Sequence, residues 1–209
     1  MCSIIGGFES EKVKELIELN QFRGNFSYSY TEFNEELGLV FQAKGFDEFP
    51  LGIISKDYYK ICHVQAPTGG LLKDHKRIHP VMNKNDMLWH NGLLTPKGTS
   101  FLQQKLNTTE EFDTKLLFDA LQKYSFDILN DIEGLFSCLY IKDNRMYLFR
   151  TKHGKIYIDD NMNISSERFE NSKCINADTI YEVDLKNKNL IEIDRFKTKR
   201  FNFVIKGEI

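Results

Sequence analysis

The sequence lacks the features that mark metal-binding, secreted and membrane-spanning proteins. Its 209 residues include four cysteines, which are far apart, with no CxxC pair and no histidines at zinc-finger distances. The four are Cys2, Cys62, Cys138 and Cys174. We therefore expect no metal site. The longest apolar runs fall far short of about 18 residues, and no charged-then-apolar leader opens the chain. A reducing cytoplasm is the expected location, and it would keep a reactive cysteine reduced.

Neither sign of charge dominates the chain. The 28 lysine and arginine residues oppose 30 aspartate and glutamate residues, for a net charge of -2. The sequence therefore has no overall attraction for nucleic acids or anionic membranes. With 41% hydrophobic and 28% charged residues, the composition is typical of a folded globular protein. We expect one domain over residues 1–194, followed by a short basic and aromatic segment over 195–209.

The hydrophobic spacing predicts a mixed α+β fold. Helical spacing over 11–21, with Ser10 as N-cap, and again over 109–124 predicts two helices. Short apolar or alternating runs predict strands at 37–43, 60–66 and 86–90. From Gly134 onward, β-prone runs joined by turns predict an antiparallel meander. This number of strands indicates more than one sheet.

The opening stretch MCSIIGG places a cysteine at the second position. If Met1 is removed, Cys2 carries a free α-amine beside its own thiol. An α-amine titrates near ~7.7 to 8.0 and a cysteine thiol near ~8.5, so the amine can take the thiol proton, directly or through one water. The resulting thiolate is a nucleophile. The simpler alternative is a small buried side chain at the start of a first strand, and this motif alone does not decide between them.

Further motifs follow in chain order: FRGN, HVQAPTGG with the later RIHP, LWHNG, and EFDTKLLFDAL. Together with MCSIIGG they resemble, in order and spacing, the N-terminal glutaminase domain of class II glutamine amidotransferases, which are N-terminal-nucleophile hydrolases. The later stretches DIEGLFSCLYI, RMYLFRTKHG and SSE look like that family's hairpins, so the resemblance reaches about Asp194. It implies that residues 1–194 form a four-layer αββα sandwich, with two stacked antiparallel sheets between helical layers.

The resemblance also implies a role for each motif residue. Cys2 would attack the side-chain amide of glutamine and release ammonia, with its α-amine as general base and then general acid. The Asn91 side chain and the Gly92 backbone N–H would stabilise the oxyanion. Asp113 would bind the α-ammonium group of glutamine. The other implied substrate-binding positions are Arg23, Gly24, Gln65, Thr68 and His79. No metal or organic cofactor is implied.

Taken singly, most of these residues have a structural alternative. Asn-Gly is a strong turn dipeptide. A carboxylate such as Asp113 in the first turn of a helix is stabilised by ~0.3 to 1 kcal/mol through the helix dipole. A lone threonine or histidine, such as Thr68 or His79, is often an ordinary loop residue. We expect Glu167, in the SSE stretch, to be structural.

The sequence departs from the family pattern at three places. The arginine that would hold the substrate α-carboxylate is Gln65 here, which offers at best a neutral hydrogen bond, a deficit of about 1 to 2 kcal/mol. Two explanations of this change are open: the basic stretch 73–77 (KDHKR) supplies the missing positive charge, or the substrate lacks that carboxylate. The simpler interpretation of the stretch itself is a solvated surface loop. Ser3 replaces the usual glycine, and RGNFSYSY lacks the usual acidic and small residues.

The expected partners are glutamine, or a related small amide, and a separate protein that accepts the ammonia. Family members usually carry an acceptor domain of their own, and the segment 195–209 is too short for one. We expect this segment to help dock the acceptor. Three alternatives stay open. The segment could contact nucleic acid, which its five basic residues support only weakly. The protein could instead be a catalytically silenced regulatory or interaction module, or an N-terminal-nucleophile hydrolase of another amide.

Overall fold

Two antiparallel sheets and three helices form most of the regular structure in residues 2–66 and 73–199, the part of the chain that the computed structural model describes. The helices are α1 (Ser10–Asn20), α2 (Pro96–Leu106) and α3 (Asp113–Tyr124). The strands are β1 (Ser3–Gly7), β2 (Ser27–Phe33), β3 (Leu39–Phe46), β4 (Tyr59–Gln65), β5 (Val81–Asn83), β6 (Asp86–Leu94), β7 (Gly134–Lys142), β8 (Arg145–Arg150), β9 (Tyr157–Ile158), β10 (Ile164–Ser165), β11 (Lys173–Cys174), β12 (Thr179–Asp184) and β13 (Asn189–Arg195). None of the helices in these ranges is long and apolar enough to cross a membrane.

Each sheet has a simple order of strands. The seven-stranded sheet, which we call sheet 1, runs β11-β9-β10-β1-β4-β2-β3, and the six-stranded sheet, sheet 2, runs β13-β12-β8-β7-β6-β5. Strand β1 lies inside sheet 1, where it pairs with β10 on one side and β4 on the other. The backbone that follows Cys2 is therefore held from both sides.

The apolar side chains place the elements in four layers. Successive residues of β1 point to opposite faces of sheet 1: Ile4 packs between the two sheets with Ile61 and Trp89, whereas Ile5 packs against α1 with Val13. Helices α2 and α3 cover the outer face of sheet 2. The order is thus α1, sheet 1, sheet 2, then α2 with α3, which confirms the predicted αββα sandwich of the α+β class.

The start of the first helix differs from the prediction. Helix α1 begins at Ser10, and the capping position is Glu9, whose side chain makes no capping hydrogen bond. The Ser10 hydroxyl instead donates to the carbonyl oxygen of Ser55. The N-cap assignment was therefore wrong, because the serine hydroxyl bonds to a distant loop rather than to its own helix.

The helix predicted over 109–124 begins four residues late, at Asp113. Before it, the Glu110 carboxylate accepts the backbone N–H groups of Glu111 and Phe112, at 2.9 and 2.8 Å, and closes a local turn. An acidic side chain that bonds nearby backbone in this way competes with helix formation.

Helix α2 and strand β2 were missed by the sequence prediction. The pair Thr95 and Pro96 was a start signal for α2. The Thr95 hydroxyl accepts the Gly98 N–H at 3.1 Å and caps the helix. Proline is tolerated at the first helical position because the N–H there has no partner within the helix. Strand β2 lies between β4 and β3. It forms a hairpin with β3, the next strand in the chain, whereas its pairing with β4 joins segments that are farther apart in sequence.

The predicted meander after Gly134 is divided between the two sheets. Strands β7, β8, β12 and β13 form a meander in sheet 2, but the short strands β9, β10 and β11 join sheet 1. Strand β10 pairs with β1, so these short strands cover the free edge of β1 in sheet 1. The last five described residues, 195–199, stay on the domain: Phe196 is buried beside Phe149, and the Lys197 N–H donates to Asn130 at 2.9 Å. Residues 200–209 lie outside the described ranges.

Candidate functional site

Cys2 lies immediately before β1 and is buried, with 6% of its surface exposed. Its Sγ is 4.0 Å from the Ala66 carbonyl oxygen, just beyond the end of β4. Burial raises the pKa of the Cys2 thiol to about 11, with a further increase from the negative charge of Asp113 and an opposing effect from Arg23. The thiol is therefore neutral at pH 7, and a base must take its proton before it can act as a nucleophile.

Arg23 fixes the backbone of Cys2. Its Nε donates to the Cys2 carbonyl oxygen at 3.0 Å, and its Nη1 forms an ion pair with the Glu167 carboxylate. The two side chains are 9% and 28% exposed, so water screens this pair less than it would a surface pair. Glu167, expected to be structural, thus orients the arginine that holds the predicted nucleophile.

Gly24 lies where two backbone segments come very close together. A Cβ atom built on Gly24 would be 2.4 Å from the Gln65 carbonyl carbon and 2.5 Å from the Ala66 nitrogen. The Phe26 N–H donates to the Gln65 carbonyl oxygen at 3.0 Å and holds this approach. A glycine is therefore required here because of space, and it brings the segment after Arg23 against the end of β4.

Asn91 and Gly92 lie inside β6 rather than in a turn, so the turn alternative for this Asn-Gly pair was wrong. Gly92 has a φ of +147°, and a Cβ there would be 2.0 Å from the Leu135 carbonyl oxygen of β7. Asn91 is almost fully buried, and its Nδ2 donates to the Ser166 hydroxyl at 3.0 Å. Close packing against β7 thus requires glycine at position 92, and Ser166 fixes the orientation of the Asn91 amide.

Ser166 connects this pair to β1, the strand that follows Cys2. Its Oγ accepts the Ile4 N–H at 2.9 Å as well as the Asn91 amide, and its own N–H donates to the Ile4 carbonyl oxygen at 3.0 Å. One hydroxyl group thus links β1 of sheet 1 with β6 of sheet 2. Sequence reasoning missed Ser166, since a serine in a polar triplet carries no distinguishing signal.

Asp113 opens α3 next to a set of hydrogen-bonding groups. Its Oδ1 accepts the Thr114 N–H at 2.7 Å and lies 3.8 Å from His90 Nδ1. The Thr114 hydroxyl is 2.9 Å from His79 Nε2 and 3.1 Å from His90 Nδ1. The carboxylate therefore satisfies a free N–H of the helix terminus. It is 26% exposed, so it can also reach a ligand.

Gln65 is engaged within the protein. Its Oε1 accepts the Ser27 hydroxyl at 3.1 Å and lies 3.3 Å from His79 Nδ1, and its Nε2 donates to the Arg77 carbonyl oxygen at 3.2 Å. The basic stretch 73–77 is exposed, and Lys73 pairs with Asp47 at 2.9 Å. Thr68, the remaining predicted site residue, lies outside the described residues.

Three buried histidines form a cluster behind the site. The His79 ring centroid is 4.1 Å from that of His63 and 6.5 Å from that of His90. Burial lowers the pKa of all three, that of His63 to about 3 and that of His79 well below its usual range. All three are therefore neutral at pH 7. His79 and His90 both contact the Thr114 hydroxyl, whereas neither ring nitrogen of His63 has a hydrogen-bond partner among the described residues. Sequence reasoning missed His63 and His90, although each lies beside or within a motif.

The structure therefore gathers most of the predicted residues at one end of the two sheets. Cys2 lies within electrostatic range of Arg23 and Asp113, Gly24 touches Gln65, and Gln65 contacts His79. Within residues 2–66 and 73–199, no group of three or more histidine, cysteine, aspartate or glutamate side chains could hold a metal ion.

Comparisons with known proteins identify the fold. No protein-family model matches the sequence, and no curated protein matches it at a significant level. Two solved structures are similar over 95% of this chain and 50% of their own. Glutamine phosphoribosylpyrophosphate amidotransferase from B. subtilis, complexed with ADP and GMP, is 19% identical with a TM-score of 0.68. The allosteric regulatory enzyme of purine biosynthesis is 18% identical with a TM-score of 0.69. The chain spans about half the length of each, and its sandwich is the N-terminal-nucleophile hydrolase fold.

Proposed function

We propose that this protein hydrolyses the side-chain amide of glutamine through Cys2 and releases ammonia for transfer to an acceptor. The observation that carries the proposal is the Ser166 hydroxyl, which joins the Asn91 amide of β6 to the backbone of Ile4, two residues after the buried Cys2. A nucleophile beside two preorganised N–H donors is the arrangement that acyl transfer requires. The fold shared with an amidotransferase supports this function.

The proposed first step needs a base close to the thiol. The thiol is neutral because burial raises the pKa of Cys2, and the α-amine that Cys2 gains when Met1 is removed is the proposed base. The thiol proton passes to this amine as Sγ bonds to the amide carbon. The amine returns the proton to the leaving nitrogen, ammonia departs, and water cleaves the thioester to give glutamate and the free thiol. Arg23 holds the Cys2 carbonyl during these steps.

Asn91 and Gly92 are the proposed donors to the oxyanion. The Asn91 amide has two hydrogens, and the bond to Ser166 uses one of them, so the other is available to the substrate oxygen. The backbone N–H of Gly92 is the second donor. Because Ser166 and the β7 pairing hold these groups before substrate binds, little reorganisation is needed during the reaction.

The substrate-binding residues follow from the same proposal. Asp113 binds the α-ammonium group with the part of its carboxylate that faces solvent. Arg23, Gly24, Gln65 and His79 form the wall behind the substrate. Thr68 is a proposed substrate-binding residue on the resemblance alone. Because the Gln65 amide is already engaged, a related amide that lacks the α-carboxylate is the second candidate substrate.

We further propose that the ammonia is passed to an acceptor on a separate protein in the cytoplasm. The chain spans about half the length of each similar structure, and one of these is named an amidotransferase, which passes nitrogen to an acceptor. The four cysteines are free thiols, as a reducing compartment would keep them. Capture of a synthase or transferase from the native host, together with stimulated glutaminase activity in the complex, would support a separate acceptor. Full activity of the isolated protein with no captured partner would contradict it.

The decisive experiment is intact mass of the purified protein before and after exposure to 6-diazo-5-oxo-L-norleucine, a glutamine analogue that alkylates such nucleophiles. We expect loss of Met1 and a single adduct on the peptide that contains Cys2. Cys174→Ser is the matched control, because this free cysteine is more exposed than Cys2 and would take up any non-specific label. Processing without an adduct would favour another amide, and retained Met1 would favour a silenced module.

A further inference from the structure

Lys44 of β3 makes an unusual pair of contacts beside the candidate site. Its Nζ donates to the Pro80 carbonyl oxygen at 2.6 Å and to the Ile78 carbonyl oxygen at 3.1 Å. These two carbonyls lie on either side of His79. Among the residues that the structure describes, no carboxylate forms an ion pair with Lys44. The ammonium group is therefore committed to the backbone of this loop.

The same loop is held at its other end by Gln65, whose Nε2 donates to the Arg77 carbonyl oxygen. Sheet 1 thus anchors three of the four carbonyls in residues 77–80. The imidazole of His79 extends from this anchored backbone to the Thr114 hydroxyl, one residue after Asp113. A continuous set of contacts therefore runs from β3 through the loop to the first turn of α3.

We propose that Lys44 is a positioning residue for this site: its ammonium group holds residues 78–80 so that His79, and through Thr114 also Asp113, keep the geometry that binds the substrate. This inference rests on the proposed glutaminase function. Lys44 acts through the loop and does not touch the substrate. Gln65 shares the task from the neighbouring end of β4.

The burial of this lysine supports a specific role. Lys44 is half-buried, and burial lowers the pKa of its ammonium group to about 8. A surface lysine would avoid this cost by extending into water. Here the two carbonyl oxygens replace water as acceptors, and the ammonium group gives three donors to satisfy them.

Lys60 is a matched control within the same sheet. Its Nζ also donates to two backbone carbonyls, those of Phe8 and Tyr58, both at 2.6 Å. Lys60 lies at the start of β4 and opposite Gly7, whereas Gln65 and Cys2 lie at the other end of these strands. Five residues of β1, about 16 Å of strand, separate the two ends. Loss of either lysine removes the same kind of contact, but only Lys44 borders the site.

The test compares Lys44→Met, Lys44→Arg and Lys60→Met. We expect Lys44→Met to slow labelling of Cys2 by 6-diazo-5-oxo-L-norleucine by about tenfold to hundredfold, the range for a displaced binding geometry. Labelling of Cys2 by iodoacetamide, which needs no substrate pocket, should stay within about threefold of wild type, since the thiol itself is unchanged. Lys44→Arg should restore part of the rate, because guanidinium can also donate to two carbonyls. Lys60→Met should leave both labelling rates near wild type.

Hydrogen exchange of the same proteins separates this inference from the proposed function. Lys44→Met should speed exchange in peptides that cover 77–82 and 113–118, and Lys60→Met should not. If wild type takes up no analogue, the glutaminase proposal fails while exchange still reports whether Lys44 orders the loop. If Lys44→Met showed the labelling rate and the hydrogen exchange of wild type, the positioning role would be overturned. The same would follow if Lys44→Met and Lys60→Met lost labelling rate equally.

Discussion

The side-chain amide of Asn91 donates to the hydroxyl of Ser166 over 3.0 Å. The same oxygen accepts the Ile4 N–H from β1 at 2.9 Å, so the two sheets are joined by hydrogen bonds at the point where Cys2 enters the fold. Apolar side chains such as Ile4, Ile61 and Trp89 also pack between the sheets. This polar link is placed where the proposed reaction needs a donor fixed relative to the nucleophile, and it gives the first prediction.

Asn91→Ala should lower kcat for glutamine hydrolysis by about 10² to 10³, because one oxyanion donor is lost. KM should change little, since the interaction forms mainly in the transition state. Glutamate release by the purified variant measures both constants. Asn187→Ala is the control: its Nδ2 also donates to one oxygen, that of Asp184, but in the exposed turn before β13. An unchanged kcat in Asn91→Ala would remove this residue from the mechanism.

Gly92→Ala should destabilise the protein by more than about 2 kcal/mol, because it combines a strained φ with a steric clash. The new Cβ would be 2.0 Å from the Leu135 carbonyl oxygen. Gly52→Ala is the matched control, since a Cβ there meets no atom within 4 Å. Urea denaturation of the two variants gives the comparison. Equal stabilities would show that β6 and β7 can separate at this point without cost.

The Arg23–Glu167 pair should show a coupling free energy of about 0.5 to 3 kcal/mol in a double-mutant cycle of Arg23→Met and Glu167→Gln. The pair is shielded from water, and each group left alone would be a poorly solvated charge. The exposed pair Lys14–Glu11 of α1 should give less than about 0.5 kcal/mol. A coupling as small as that of the surface pair would show that Arg23 holds Cys2 without help from Glu167.

Acid should destabilise the protein through its buried histidines. Burial lowers the pKa of His63, His79 and His90, so the folded state keeps them neutral while the unfolded chain takes up protons below about pH 6.5. Their contribution to stability is thus complete above that pH and is lost as the pH falls, by up to about 1.4 kcal/mol per unit for each histidine. For His63 the loss of stability continues as the pH falls toward about 3, the pKa of this histidine in the folded protein.

Urea midpoints at pH 7.5, 6 and 5 measure this dependence. His63→Leu should reduce the slope by the share of one histidine, because it removes one proton-binding group from the unfolded chain. A wild-type stability that is constant between pH 7 and 5 would show that the cluster is solvated or charged in the folded protein.

The order of motifs along the chain was sufficient to predict the sandwich fold, but local periodicity was not. Helix α1 was located by its apolar spacing, yet its cap was misassigned because Ser10 bonds to Ser55, far along the chain. The meander was misassigned for a similar reason: β9 and β10 have the same local composition as their neighbours, but β10 pairs with β1 and β9 pairs with β10. Strand partners depend on which edges the rest of the fold leaves free, and no window of sequence contains that information.

The sequence by itself determined which residues could carry chemistry: a cysteine at the second position, an Asn-Gly pair and an aspartate before an apolar helix. Only the tertiary structure decided what supports them. The hydroxyl of Ser166, the loop contacts of Lys44 and the histidines around Thr114 come from segments that are distant in sequence. Hydrogen bonds act over about 3 Å, so such partners are defined only once the chain has folded and brought their strands and loops together.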